Sequence, residues 1–491
     1  MNDFIVSLML LGAVGSNDGQ LPYWATTNQY GLMPETSGAL ACIQAGTQFD
    51  ESKTLQWRWG ASFATNLYAP PAGLTQSDED AKTFHLMTDE LYASFRWQCL
   101  RLDLGQKRRA QEFIGADPSL GSLSVTGGHM VESGNARPMP GYLATLEPFA
   151  VPFTDGHLKI YGSFGDYQTM DVRYVQDALV HRMLAGLKIG ITDRLTLDLG
   201  LDHYAIWAGH HPSKPDIKMS WSNYFRIITG RSAGVDGTLS DRINVLGDHG
   251  GSEVIRFTYH GDGFLAVAQH EIPYADRSGM KFRNFPDGVN TLNFSFDDKD
   301  RWVSDIVYEY HYTLYQSGST NGEKYDSEGH PLHPEGTWIY GGDNYFNNSF
   351  YASGWTHFGH AICDPLFRTR GTGDGTWTSA KMTKGFESTR FTAHHIGLGG
   401  KLFRKYPYKI MLTYSENYGT YSKPYVGESH WQQEWGTFDE EGLKQVSGAF
   451  VGTLPELLGV KGLSGMYGIY ADKGSLLRDT FGITLGIKYT L

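Results

Sequence analysis

The chain has 491 residues, a formal charge of −12 and a negative mean hydropathy. It offers no basic patch for a nucleic acid and no apolar run of the 18 or so residues that a spanning helix needs. No linker divides a length far above the usual domain of roughly 100–150 residues. With 60 Gly, 29 Tyr and 14% aromatic residues, the composition fits one large all-β protein with many turns and aromatic girdles; such a chain crosses a membrane only as a closed barrel, which satisfies every backbone group in lipid.

The start, "MNDFIVSLMLLGAVG", has a short apolar core like that of a secretory signal, but Asp3 stands where basic residues are expected. Residues 1–37 therefore read as an N-terminal segment, a signal remnant or the mature start, and 38–491 as a single barrel with long extracellular loops. Strands follow in order. "TLQWRWGASF" sets Leu55, Trp57, Trp59, Ala61 and Phe63 against Gln56, Arg58, Gly60 and Ser62, putting a charge on a face that a packed core would resist. "RLTLDLGLDH" opposes Leu195, Leu197, Leu199 and Leu201 to Thr196, Asp198, Gly200 and Asp202. "WSNYFRIITGR" (221–231) carries a weak helical period through Tyr224, Phe225 and Ile228. "TLNFSFD" alternates through Leu292, Phe294 and Phe296. "RWVSDIVYEYHY" puts Trp302, Ile306, Tyr308, Tyr310 and Tyr312 opposite Asp305, Glu309 and His311, and "YKIMLTYS" alternates through Tyr408, Ile410, Leu412 and Tyr414. The final "FGITLGIKYTL" places Phe481, Ile483, Leu485, Ile487, Tyr489 and Leu491 on one side and Lys488 on the other, as a closing strand that pairs with the first. Charges repeated on the inner face describe a polar lumen.

Very short links, at 191–193, 260–263, 297–300 and 404–407, alternate with long polar stretches at 106–147, 208–250, 315–345, 368–388 and 416–450. Short turns at one end and long loops at the other are the pattern of an outer-membrane barrel, and the length suggests roughly 16–18 strands.

Reactive constellations are not apparent. No G-x-S-x-G or trusted Ser–His spacing supplies a nucleophile, so no catalytic residue is assigned and the chain reads as no enzyme. His394 and His395 are neighbours that a strand sends to opposite faces. His203, His210 and His211 read as polar loop or lumen lining, and Asp326, Glu328 and Asp343 lack the spacing of a calcium loop, so no metal or cofactor is expected. Cys42, Cys99 and Cys363 are an odd, widely spaced set that predicts no disulfide framework. The densest polar and aromatic stretch is "DNYFNNSFYASGWTHFGHAICDPLF" (343–367), rich in the rings and amides that stack on and hydrogen-bond sugars; the same residue types also close loops and form girdles.

An ordered set of motifs resembles the Wzi family of capsule assembly proteins, its Bacteroidetes-type members in particular. The set comprises "LPYWATTNQYGL" (21–32), "SGNARPMP" (133–140), "GLDHYAIWAG" (200–209), "NVLGDHGGS" (244–252), "YADRSGMKFRNFPDG" (274–288), "YEYHYTLYQSG" (308–318), "DNYFNNSFYASGWTHFG" (343–359), "AHHIGLGG" (393–400) and "TYSENYGTYSKP" (413–424). It departs from that pattern at Ala208, where Gly is expected, and at Glu416, where a basic residue is common. The resemblance implies an antiparallel transmembrane barrel of about 18 strands in the bacterial outer membrane, with short helical or loop plug elements. It further implies a lectin-like role that binds and anchors capsular or surface polysaccharide; a monomer in contact with outer-membrane lipid is expected, and the terminal Leu491 behind alternating apolar residues resembles the signature that such barrels present to the barrel-insertion machinery. Asn135, Arg137, Tyr345, Asn347, Asn348 and Trp355 are the expected polysaccharide contacts. The alternative is a porin or exporter that conducts oligosaccharides or small solutes.

Overall fold

The computed structural model describes residues 4–68, 84–109, 122–232, 245–275, 284–316, 343–369, 385–427 and 441–491. Asp326 and Glu328, and parts of the long loops, lie outside them. Eighteen antiparallel strands make one closed sheet. They are β1 (Phe4–Gly15), β2 (Gly38–Thr47), β3 (Leu55–Tyr68), β4 (Phe84–Trp97), β5 (Leu100–Gln106), β6 (Pro140–Ala150), β7 (Leu158–Gln168), β8 (Leu179–Gly190), β9 (Leu195–Trp207), β10 (Asp248–Gly261), β11 (Phe264–Tyr274), β12 (Gly288–Phe296), β13 (Asp305–Tyr312), then, after two small inner hairpins, β18 (Arg390–Leu402), β19 (Tyr406–Gly419), β20 (Leu443–Leu454), β21 (Leu463–Gly474) and β22 (Thr480–Thr490). The hairpins are β14 (Thr356–His357) with β15 (His360–Ala361), and β16 (Arg368–Thr369) with β17 (Phe386–Ser388). Closure is made by β1, which pairs with β2 on one side and with β22 on the other, Leu10 facing Ile487.

The alternation read from sequence sorts lipid from lumen. On β22, Phe481, Ile483, Leu485, Ile487 and Tyr489 are exposed outward while Thr484 is buried inward. On β13, Asp305, Glu309 and His311 are buried inside. A half-buried strand of a soluble sandwich would leave its polar face wet; here the apolar face is the exposed one, and only lipid makes that favourable. Trp302 lies in the short β12–β13 turn and meets Phe403 of the β18–β19 turn edge to face at 5.4 Å, both exposed at the short-turn end. That is where an interfacial girdle belongs.

Phe4–Gly15 differs from expectation, being the first barrel strand and not a segment apart. Its inward positions Met9, Leu11 and Ala13 pack on apolar groups inside the barrel, so both faces are apolar and the alternation is erased. The weak helical period does give a helix, Trp221–Ile228, capped by the Ser220 hydroxyl accepting from the Asn223 N–H. The stretches 315–345 and 368–388 belong to one connection, 313–389, whose middle folds into the lumen.

Residues 122–139 and 343–369, with Phe386–Ser388, fill the barrel as a plug with its own apolar core, including Met130, Trp355, Phe367 and Phe386. Wall charges grip its backbone and side chains. The Glu309 carboxylate accepts from Val125 N–H, Ser124 Oγ and Thr126 Oγ1, each at 2.6 Å. Glu271 accepts the Met130 N–H at 2.9 Å, and a His395 ring nitrogen lies 2.7 Å from the Leu123 carbonyl. Glu132 of the plug is paired with Arg182 of β8 and with Arg109 at 3.1 Å. Buried charges are tolerated only when paired and hydrogen-bonded, and here the polar lumen and the plug satisfy one another.

Candidate functional site

Between the plug and strands β19–β22, at the long-loop end, lies a cavity of about 100 Å³, several-fold the space that one water needs. Alternation aims one row of hydrogen-bonding side chains at it: Thr413, Ser415 and Asn417 from β19, Gln445 and Ser447 from β20, Asp472 from β21 and Thr480 from β22. The β1–β2 connection contributes Tyr23 and Thr27 to the facing wall, and Asn135, His360 and Arg368 come from the other two connections. Part of the row is already engaged. Thr413 Oγ1 accepts from Trp24 Nε1 at 3.2 Å, Asn417 Nδ2 donates to Ser415 Oγ at 2.9 Å, and Gln445 Oε1 accepts the Leu477 N–H at 3.0 Å. Asp472 Oδ2 accepts the Tyr23 N–H at 2.8 Å. The other carboxylate oxygen, Oδ1, and the Tyr23 hydroxyl are buried and make no well-formed hydrogen bond among the described residues, with the Ser447 and Thr480 hydroxyls beside the carboxylate and Thr27 beside the phenol. Leaving such groups unmatched costs about 1–3 kcal/mol each, which a ligand bearing hydroxyls would recover. At the rim, Arg478 is held among the described residues by an exposed pair with Asp18 at 3.6 Å, a contact of roughly 0–1 kcal/mol.

The six residues expected to contact polysaccharide separate into two groups. Asn135 lines the cavity, its side chain donating to the Ala361 carbonyl at 3.3 Å and accepting the Asn28 N–H at 3.2 Å. The other five sit in the plug. Trp355 is 1% exposed, stacked on Tyr204 of β9 at 3.8 Å, with its indole N–H on the Val131 carbonyl at 2.7 Å. Tyr345 is buried and donates to Asp287 at 2.6 Å, and burial holds its phenol well above the usual range. Asn347 accepts the Phe386 N–H; Asn348 accepts the Phe350 N–H and donates to Asp248. The Arg137 guanidinium lies 3.5 Å from the Phe358 ring centre, and burial lowers its pKa to about 10.

Sequence reasoning missed the strand row. Its signal is the inner parity of "TYSEN" and "QVS", hydroxyls and amides at every second residue near the long-loop end. Glu416 lies on the outward parity of β19, bound to the Tyr414 and Tyr418 hydroxyls. His394 and His395 part as a strand requires, His394 outward to the Tyr308 hydroxyl at 2.8 Å and His395 inward.

No family model matches this chain, and no curated protein matches it. Among solved structures it is similar to Wzi, an outer-membrane protein involved in group 1 capsule assembly in Escherichia coli and a carbohydrate-binding β-barrel. Identity is 13% and the TM-score 0.53, over 99% of this chain and 84% of that one. The protein is an outer-membrane β-barrel. It is also similar to OccAB4 of Acinetobacter baumannii (9% identity, 100% of this chain and 98% of that, TM-score 0.44) and to OccK1 (OpdK) of Pseudomonas aeruginosa (10%, 100% and 98%, TM-score 0.46). At 13% identity the likeness to Wzi speaks for the fold alone, and the lipid-facing belt on this chain's own strands agrees with it.

Proposed function

We propose that this protein binds capsular or surface polysaccharide at the extracellular mouth of its barrel and anchors it there, without chemistry on the glycan. The observation that carries the reading is the row of hydroxyl, amide and carboxylate groups from β19 to β22, facing a cavity above a plugged lumen. A sugar ring offers hydroxyls that both donate and accept, and Asn417, Gln445 and Asn135 supply both functions in turn. Asp472 Oδ1 is a ready acceptor, and Arg478 is free to leave its weak surface pair for a sugar carboxylate, locally offsetting the net negative charge. A repeating polymer gains retention from many weak contacts, so a shallow subsite suffices.

In this reading Asn135 touches the glycan, while Arg137, Tyr345, Asn347, Asn348 and Trp355 serve it by holding the plug that forms one wall. The protein acts as a monomer, and the alternating last strand is what the barrel-insertion machinery reads. The porin or exporter reading is separated by two measurements on purified protein. Single-channel recording in planar bilayers is expected to be nearly silent, and long-chain capsular polysaccharide is expected to bind with Asn417→Ala/Gln445→Ala weakening it about tenfold. Steady ion conductance together with absent polymer binding would favour the conducting reading instead.

A further inference from the structure

On the outer wall, the helix Trp221–Ile228 lies across the long-loop ends of β8 and β9. Ile227 is buried, and Tyr224 packs on Trp207, which is outward on β9. Other apolar side chains are uncovered among the described residues: Met219 is 71%, Trp221 77% and Phe225 62% exposed. Such a patch at the top of a lipid-facing belt continues that belt. Between the helix and the wall runs a cleft of about 1180 Å³, lined by Met183 and Leu201 below, His203 at its floor, and Phe225, Arg226 and Arg231 on the helix side.

His203 supplies an independent pointer. The Leu246 carbonyl, 2.7 Å from His249 Nε2, can only accept, so in the neutral imidazoles His249 donates there and presents Nδ1 as an acceptor. His203 Nε2, 2.9 Å away, must then donate to it. That leaves His203 Nδ1 as a bare acceptor, buried and without a partner among the described residues. The cleft therefore brings together His203 with its unpartnered Nδ1, the cationic Arg226 and Arg231, and the apolar surface that Phe225 shares with Met183 and Leu201.

We propose that this cleft binds a phosphorylated glycolipid of the outer leaflet, its phosphate at Arg226 and Arg231, a headgroup hydroxyl or amide at His203, and its chains running down the lipid-facing belt. The site is independent of the glycan cavity, which lies inside the barrel on other strands. Two cations at an anionic lipid surface raise affinity roughly tenfold to thirtyfold.

Native mass spectrometry in neutral detergent tests the proposal, with bis-phosphorylated lipid A and its fully dephosphorylated form as probes. The wild-type chain is expected to retain one lipid A and to bind the dephosphorylated form at least tenfold more weakly, a comparison that needs no variant. Arg226→Gln/Arg231→Gln, at side chains on the outer surface, is expected to cause a similar drop with lipid A and none with the dephosphorylated form. Equal binding of both lipids by the wild type, or undiminished lipid A binding by the double variant, would overturn the proposal. So would a lipid-free dimer that Phe225→Ser abolishes, which would assign the face to a second copy of the chain.

Discussion

Replacing Glu309 by alanine should loosen the plug without opening the barrel wall. Its carboxylate receives three hydrogen bonds from the plug, but they are not equally replaceable. Ser124 Oγ and Thr126 Oγ1 already lie 2.9 Å apart, and the Gly128 N–H donates to both, so the hydroxyls keep partners when the carboxylate goes. The Val125 N–H has no such substitute and is buried, which costs about 1–3 kcal/mol, and the charge-assisted part of the other two bonds adds a similar amount. A loss of about 3 kcal/mol in plug docking corresponds to roughly 150-fold in the docking equilibrium. Hydrogen exchange read by mass spectrometry is the assay: amides of residues 123–131 should exchange about 150-fold faster in Glu309→Ala, while β12 and β18 stay protected. Bilayer recordings should show new conductance events. Exchange within threefold of wild type, with the variant folded as a heat-modifiable barrel, would refute the idea that wall carboxylates hold the plug.

Leu485, 65% exposed on the lipid face of β22, should cost roughly 2–4 kcal/mol when changed to Arg; reversible folding into vesicles measures this, and an unperturbed midpoint would reassign the face. Ala208 is buried at φ 55°, the left-handed region that glycine prefers, so Ala208→Gly should stabilise the fold by about 1 kcal/mol, read as a raised denaturation midpoint. Burial lowers His357 to about 4 and His360 to about 3, below the unfolded value near 6.5. The undocked plug therefore binds more protons, and the stability these residues confer is full above pH 6.5 and lost as pH falls toward 4. At pH 5 the loss is about 2 kcal/mol for each, so plug amides should gain exchange relative to strand amides between pH 7 and 5, and an unchanged ratio would count against it.

The barrel was legible because lipid and lumen impose opposite chemistry on alternate residues, as on β9, where Leu197 and Leu199 flank Asp198. Where the lumen side is itself apolar the pattern vanished, which hid β1: Met9 and Leu11 face the plug core rather than water. The plug residues differ from the strand row for a related reason. Trp355, Tyr345 and Asn348 have the composition of a sugar site, but composition does not tell whether a ring face is open or, like Trp355, already stacked on Tyr204. The cavity row was hidden in plain alternation, since Thr413, Ser415 and Asn417 line a cavity only when β20 and β21 bring Gln445 and Asp472 beside them.

If the cavity above the plug anchors polysaccharide, the ratio of cell-attached to released polymer in the encapsulated host reads it out. A strain carrying Asn417→Ala, Gln445→Ala and Ser447→Ala, with the barrel present at normal level in the outer membrane, is expected to make as much long-chain polymer as its parent and to shed most of it into the medium. Polymer that stays on the cell as in the parent, with the triple variant folded and in place, would show that this cavity does not hold it.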